Sequence, residues 1–523
     1  MKILLLNPDS ASGIGLDIFL KGPPLSLMCI AGAAPDHEYE LLDLKFKSMT
    51  IKKLRQKIAA SDIVAISSYT PSIKSALNLA RITKNVDRNI ITILGGYHAS
   101  LVPEVIQQKE LDIIVRGEGE ITFKELTDYL EKNLGKPDWK QGLKDIKGIG
   151  FRKNGKVIIT EKRPLVKKLD DLPFPNRDLV KKNKYAYFGA SIDALESARG
   201  CPHDCNFCCV HEHWGNCWRM KSPERVLKEI ATMRRDVRWT GFQDSEFTAN
   251  MGRVGKIFDL IHEYGYDGSR NPWYSAQGRV DDIVRRPDVL KKMVDGGFKF
   301  LFIGIESIYQ KSLDRIGKRI RLSQIKKAVE MLHDYGIAIF GSIIIGNIDE
   351  TWDEVMQTAN FAYRLGIDIM QFTPLTPLPA TKLYHEADAK GWIVERDWEK
   401  WNLVDPIMKT PNLSVDQIRD AVALAYSRFY LGGREKKIQQ YLPRKAMEYF
   451  FNKRFWWFFN YKMFPGFMLY TVPNVSKLVE MILPGVKREK MLEDKIKNLK
   501  VTHADTKNKN VVPQEPLEDL IIE

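Results

Sequence analysis

The sequence predicts an α/β protein in which a doubly wound parallel sheet is followed by a partial (β/α)6 barrel and a helical C-terminal region. Three observations predict it. Short apolar runs alternate with amphipathic stretches over residues 1–130, a second alternation of the same kind starts at Ser191, and from about residue 386 the chain turns helical and rich in aromatics. Strands that alternate with helical patterns form βαβ units, and such units lie in parallel sheets.

The first alternation holds five strands: KILLLN (2–7), EYELLDL (38–44), DIVAISSY (62–69), ITILGGYH (91–98) and DIIVRGEGE (112–120). The opening apolar run is cut short by Pro8 and Asp9 before any cleavage site, so a buried first strand is expected rather than a signal peptide. Turn residues follow the strands: Asn7-Pro8, Ser67-Ser68, Gly95-Gly96, and Gly117 with Gly119. Ligands of open parallel sheets bind outside the carboxyl ends of the strands, so a cofactor is expected at these turns.

Residues 136–188 are polar, Lys-rich and Pro-containing, as in DDLPFPNRD, and read as a linker with a small hairpin at Asn154-Gly155. The second alternation places strands near 191–198, 238–244, 272–277, 299–305, 337–345 and 368–373. Six βα units suit an open barrel, since a complete eightfold barrel takes about 250 residues. The expected organisation is a first domain over 1–135, the linker over 136–188, the barrel over 189–385, a helical region over 386–485 and a charged tail over 486–523. No repeat of solenoid period is present.

A chain of 523 residues, 44% hydrophobic, can bury a large core. Of its six cysteines, four fall between 201 and 209, which excludes a dispersed disulfide framework and points to a metal site in a reducing, cytoplasmic setting. No apolar run of about 18 residues predicts a transmembrane helix. The net charge of +14 is scattered, with Lys-rich patches at 45–57, 152–168 and 487–510. This reads first as a basic solvated surface and second as attraction to anionic lipid. Without an RNA-binding signature, nucleic acid is not an expected partner.

The stretch ARGCPHDCNFCC (198–209) follows the first barrel strand, and barrels place active sites in such loops. Cys201, Cys205 and Cys208 can wrap one face of a 4Fe-4S cubane and leave one iron without a protein ligand. That iron can chelate the amino and carboxylate groups of S-adenosylmethionine and pass an electron to its sulfonium. A structural zinc site wants four protein ligands. A second metal at Cys209, His211, His213 and Cys217 is the weaker reading of those residues, and a structural role is expected.

CPHDCNFC resembles the CxxxCxxC loop of the radical S-adenosylmethionine (SAM) superfamily, with Phe207 as the aromatic beside the last ligand. WRMKSPERVLKEI (218–230) resembles the run that opens the first barrel helix in the cobalamin-binding branch. The resemblance implies SAM-binding roles for Asp244 and Glu246 in FQDSEFT, although helix capping is an equal alternative for these two. It implies the same for Arg279 in SAQGRVDD, for Glu306 in FIGIESI and for Ile345 in IIIGNIDET, where Asn347 and Ile348 depart from the common proline form.

PPLSLMCIAGAAP (23–35), GGYHASLVPE (95–104) and DIIVRGEGEITFKEL (112–126) resemble signatures of cobalamin-binding domains. They imply a cradle of Ser67, Tyr69, Gly95, Gly96, Gly117, Glu118 and Gly119. The DxHxxG signature that brings a histidine to cobalt is missing; Asp36-His37 does not reproduce it, and His98 reads as a loop residue. TPLPATKLY (376–384) and residues 398–431 resemble the end of anaerobic magnesium-protoporphyrin IX monomethyl ester oxidative cyclases and of hopanoid C-methylases.

The implied cofactors are a 4Fe-4S cluster, S-adenosylmethionine and cobalamin. The implied activity is radical C-methylation of an unactivated carbon in a hydrophobic hopanoid or isoprenoid lipid, with oxidative cyclisation of a tetrapyrrole or membrane lipid as the alternative. The implied partners are the hydrophobic substrate and an external electron donor such as flavodoxin or ferredoxin. The aromatic run YFFNKRFWWFFNYKMFPGFMLY (449–470) suits either peripheral contact at the inner face of the membrane or a helix hairpin buried against the barrel. A non-catalytic cobalamin or redox sensor would not need the intact barrel motifs.

Overall fold

A computed structural model describes residues 1–9, 20–46, 49–182, 185–187, 190–268 and 272–431. Eight strands form within the first 159 residues: β1 (Lys2–Asn7), β2 (Leu20–Lys21), β3 (Glu38–Asp43), β4 (Ile63–Ser67), β5 (Ile91–Gly95), β6 (Ile113–Val115), β7 (Ile149–Lys153) and β8 (Lys156–Ile159). All but β2 join one sheet in the order β3-β1-β4-β5-β6-β7-β8. The pairings from β3 to β6 are parallel.

Leu4, Leu6, Val64 and Ile66 pack under the helices at Ile51–Ala59 and Ile73–Val86. Ile3, Leu5, Ile63 and Ile93 pack on the opposite face with Leu27, Met28 and Phe123 from the helices at Leu25–Ala33 and Gly119–Asn133. Covering both faces of a parallel sheet is what makes its strands read as unbroken apolar runs.

The stretch expected as a linker is in part sheet. β7 and β8 form the hairpin around Asn154-Gly155, both at positive φ, and continue the first sheet as antiparallel strands. Ile149 and Phe151 are fully buried there, so these two side chains tie the hairpin to the first domain.

The second sheet has the order β17-β16-β15-β14-β13-β10-β9-β2. Its six parallel strands are β10 (Ala190–Leu195), β13 (Trp239–Phe242), β14 (Trp273–Gly278), β15 (Phe298–Glu306), β16 (Ala338–Ile345) and β17 (Ile369–Pro374), close to the expected positions. β9 (Ala186–Tyr187) and β2 add antiparallel strands at one edge. A separate ribbon of β11 (Ala198–Gly200) and β12 (Trp218–Met220) brackets the cysteine loop.

Period-two alternation sorts the barrel strands. Leu301, Ile303, Ile305, Ile343 and Ile345 pack outward against the helices, whereas Phe300 and Phe340 cluster with the first domain. Helices at Lys382–Ala389 and Val415–Leu431 extend the barrel, the latter packing on β17 and on the helix at Trp352–Arg364. Among the described residues no helix is long and apolar enough to cross a membrane. The aromatic run 449–470 and the tail from 486 lie outside the described residues.

Candidate cofactor cavity and cysteine loop

The cysteine loop leaves β11 and is held by its neighbours. Asn206 donates its backbone N–H to Ile316 O (3.0 Å) and its Nδ2 to Arg315 O (2.8 Å), and Leu383 N–H donates to Asn206 O (3.0 Å). Phe207 packs against a cap cluster that includes Ile316, Ile344, Leu375 and Trp401. All six cysteines are free thiols. Burial pushes Cys201 and Cys208 up to about 12, and it raises Cys205 against the pull of nearby Lys318 and Arg279. At neutral pH these thiols hold their protons unless a metal's positive charge takes them as thiolates.

Among the described residues no three His, Cys, Asp or Glu side chains converge on a point suited to one metal ion. Beyond the loop, the Cys217 thiol lies 3.1 Å from Trp214 O, His211 lies beside Glu212, and His213 stacks on Tyr97 at 4.1 Å between ring centres.

The acidic residues near the loop are already engaged. Asp244 accepts from Ser197 N–H (2.6 Å) and Ser197 Oγ (2.5 Å), tying the end of β13 to the stem of the cysteine loop. It caps no helix, and Asn250 does that for the helix at Met251–Glu263. Glu246 caps its own turn by accepting from Thr248 N–H (2.8 Å) and Oγ1 (2.5 Å). Burial raises the two carboxyls to about 6 and about 7.

Arg279 donates through Nε to Asp281 (2.9 Å) and through Nη2 to Lys318 O (2.8 Å). Glu306 sits at a bulge with φ +63°, a left-handed conformation costing about 1–3 kcal/mol, and accepts from buried Lys318 Nζ at 2.8 Å. Such strain clusters at functional sites. The Ile345 side chain faces the helices outside the sheet, so it is the backbone of this residue that is available on the barrel side. One step of alternation puts Ile344 with Phe207 in the cap cluster instead.

A cavity of about 1090 Å³ opens between the first domain and the barrel. It exceeds the roughly 300–1,000 Å³ of ordinary small-molecule sites. Ser67, Tyr69, Gly95, Gly96, Gly117, Glu118 and Gly119 all line it, facing Phe300, Phe302 and Phe340 of the barrel and Trp401 and Leu403 of the cap. A Cβ added at Gly95 or Gly117 would meet nothing within 4 Å, so these turns present bare backbone to the cavity. A broad, flat ring system can approach such a wall closely, and the donor set therefore fits a corrin. His98 is buried below this wall, 3.2 Å from Thr70 Oγ1 and edge-on to Trp398, and burial lowers it to about 4.

Sequence reasoning missed several residues here. Tyr97 stacks between Tyr69 and His213 and accepts from Trp214 Nε1 (2.9 Å). Lys318 neutralises Glu306, and Arg199 binds the Gly117–Glu120 turn. Only the alternating Gly-Glu pattern opposite an arginine beside the cysteines offered a signal for the last.

Fold and cavity define an enzyme class in which a radical SAM barrel and a B12-binding domain face one chamber. Residues 195–362 match the radical SAM superfamily, and residues 12–127 match the B12 binding domain. An uncharacterised methyltransferase of Pyrococcus horikoshii, PH0819, is 35% identical over 438 residues, covering 82% of this chain and 93% of its own length. The anaerobic magnesium-protoporphyrin IX monomethyl ester cyclase of Rubrivivax gelatinosus is 28% identical, covering 82% of this chain and 78% of its own. Among solved structures, the cobalamin-dependent S-adenosylmethionine radical enzyme OxsB with aqua-cobalamin and S-adenosylmethionine bound superposes with a TM-score of 0.66 at 17% identity, over 97% of this chain and 82% of its own. The chain belongs to the cobalamin-binding radical SAM family, and its cofactors are a 4Fe-4S cluster, S-adenosylmethionine and cobalamin.

Proposed function

We propose that the chain is a C-methyltransferase acting on an unactivated carbon of a large hydrophobic molecule, a hopanoid or another isoprenoid. The observation that carries this is the single chamber running from the glycine-walled cradle to an aromatic-lined barrel interior. In this reading Cys201, Cys205 and Cys208 hold the cluster, and Ser67, Tyr69 and the four glycines seat the corrin. Asp244, Glu246, Arg279 and Glu306 orient S-adenosylmethionine, with Phe207 beside them. Bound there, the cofactors supply reductive cleavage of S-adenosylmethionine and a transferable methyl group, and an external electron donor feeds them.

The protein's own part is placement and dryness. Lys318 holds Glu306 in place, so one carboxylate oxygen is oriented before a ligand arrives. Phe300, Phe302 and Phe340 exclude water and offer apolar surface to a substrate of matching character. A substrate drawn from a bilayer also accounts for the basic patches through peripheral membrane contact. The similarity to the Rubrivivax cyclase favours one alternative, oxidative ring formation on a tetrapyrrole, which the same aromatic walls would accept.

The test is anaerobic reconstitution with iron, sulfide, cobalamin, a reductant and methyl-labelled S-adenosylmethionine, followed by mass spectrometry of a lipid extract. Label appearing in a lipid with a gain of CH2 supports methylation. Deoxyadenosine formed without label transfer, together with hydrogen loss from a tetrapyrrole, replaces it with the cyclase reading.

A further inference from the structure

Arg199 stands two residues before Cys201 and is buried at 5% exposure. Each nitrogen of its guanidinium meets a carboxylate: Nε donates to Glu196 (2.6 Å), Nη1 to Glu118 (2.8 Å) and Nη2 to Glu120 (2.5 Å). Glu118 also accepts from Arg219 Nη1 (2.9 Å) and from Val166 N–H (2.7 Å). The Trp214 ring lies 5.5 Å from Arg199 and 5.8 Å from Arg219. Glu118 and Glu120 belong to the turn whose Gly117 and Gly119 line the cavity, while Arg199, Trp214 and Arg219 flank the cysteine loop.

A buried ion cluster of this kind is weak evidence for stability, because desolvation offsets most of the attraction, but its planar fork fixes geometry in two directions. The backbone carries that geometry onward. Gly200, between Arg199 and Cys201, sits at φ +85°, and a Cβ there would lie 2.1 Å from Cys217 O, so the stem of the loop is pressed flat against its neighbour.

Resting on the cofactor assignments made above, we infer that Arg199, gripped by Glu118 and Glu120, is a positioning residue that sets the distance between the cluster and the corrin. Neither carboxylate is reserved for cobalamin; both are spent on registering one cofactor site against the other.

The test uses the full chain loaded with reduced cluster and cob(II)alamin, two paramagnets whose mutual splitting and relaxation enhancement report their separation by electron paramagnetic resonance. Glu120→Gln removes one charge while keeping the shape, and Arg199→Lys keeps the charge but loses the fork. Both should broaden or shift the coupling while retaining iron and cobalamin within about twofold of the parent. The ratio of methylated product to deoxyadenosine should fall on the order of tenfold, since small misplacements cost rate steeply. Arg177→Lys disturbs another buried network, with Asp193 and Glu229, that does not touch the cradle, and it should leave the spin coupling unchanged. Unchanged coupling in a loaded Glu120→Gln or Arg199→Lys protein, or an equal change in Arg177→Lys, overturns the positioning role. Failure of the parent protein to take up cluster or cobalamin overturns the cofactor assignment itself, and the inference with it.

Discussion

Adjacent glycines in the cradle should fail in opposite ways when replaced by alanine. Gly96 has φ +95° and ψ −171°, a region open essentially to glycine alone, and a side chain held there costs about 1–3 kcal/mol. The new Cβ would stand 2.6 Å from Ser68 O and 2.9 Å from Ser68 N. Both atoms are in use, Ser68 N–H donating to Gly95 O and Ser68 O accepting from His98 N–H, so relieving the clash costs about 1 kcal/mol more per bond lost. A total near 3 kcal/mol should lower the melting temperature of Gly96→Ala by roughly 6–12 °C, taking the scale of a 150–250-residue unit.

Gly95→Ala meets nothing within 4 Å and should melt with the parent, within about 0.5 kcal/mol. Its methyl group enters the cavity, so hydroxocobalamin affinity should drop about tenfold or more, a loss of about 1.4 kcal/mol. Circular dichroism melts without ligand, paired with absorbance titration of hydroxocobalamin, separate the two effects. A Gly95→Ala protein that binds like the parent, or a Gly96→Ala protein that melts like it, refutes the placement of this turn.

Two further outcomes follow from the same geometry. Cys201→Ser should lose the iron and the charge-transfer absorbance of the cluster yet still bind cobalamin, which iron analysis beside a cobalamin titration checks; loss of both together would mean that the cavity depends on the loop for its shape. Glu350 is fully buried, accepting from Gly346 N–H, Asn347 N–H and Asn347 Nδ2, and burial raises its carboxyl from 4.5 to about 7. The folded form therefore binds the proton more tightly than the unfolded one. The stabilisation is complete below about pH 4.5 and is lost as pH rises through about 7. Glu350→Gln should flatten the melting temperature across that window, and an unaltered slope would show that these three donors, not burial, govern this carboxyl.

Much of the architecture was legible because it rests on local patterns. β4 and β5 are short, mostly apolar and end at Ser-Ser or Gly-Gly, and the cysteine spacing is a one-loop signal that needs no partner. What was not legible depends on contacts far apart in sequence. Glu118 lines the cradle as expected, but its pairing with Arg199, 81 positions later, has no local signal. Asp244 and Glu246 read alike, yet one ties down Ser197 and the other caps its own turn. Ile345 and Ile344 lie on opposite faces of β16, and which of them meets the cap cannot be read from a run of three isoleucines. The hairpin of β7 and β8 lay within a polar stretch, and its membership of the first sheet rests on two buried residues, Ile149 and Phe151.

The two-residue strand β2 has a consequence for anyone who would cut this protein into pieces. It leaves the first domain to pair with β9 and finish the edge of the second sheet. A fragment beginning near residue 189 would lose both of these strands and present β10 as a bare edge, while Phe300 and Phe340 would face water where the first domain had covered them. Exposed edges and apolar patches of this sort recruit other chains, so an excised barrel should aggregate however complete its own βα units are. Although the two halves resemble separable modules, they were finished against each other, and the smallest unit that can be handled in solution includes both.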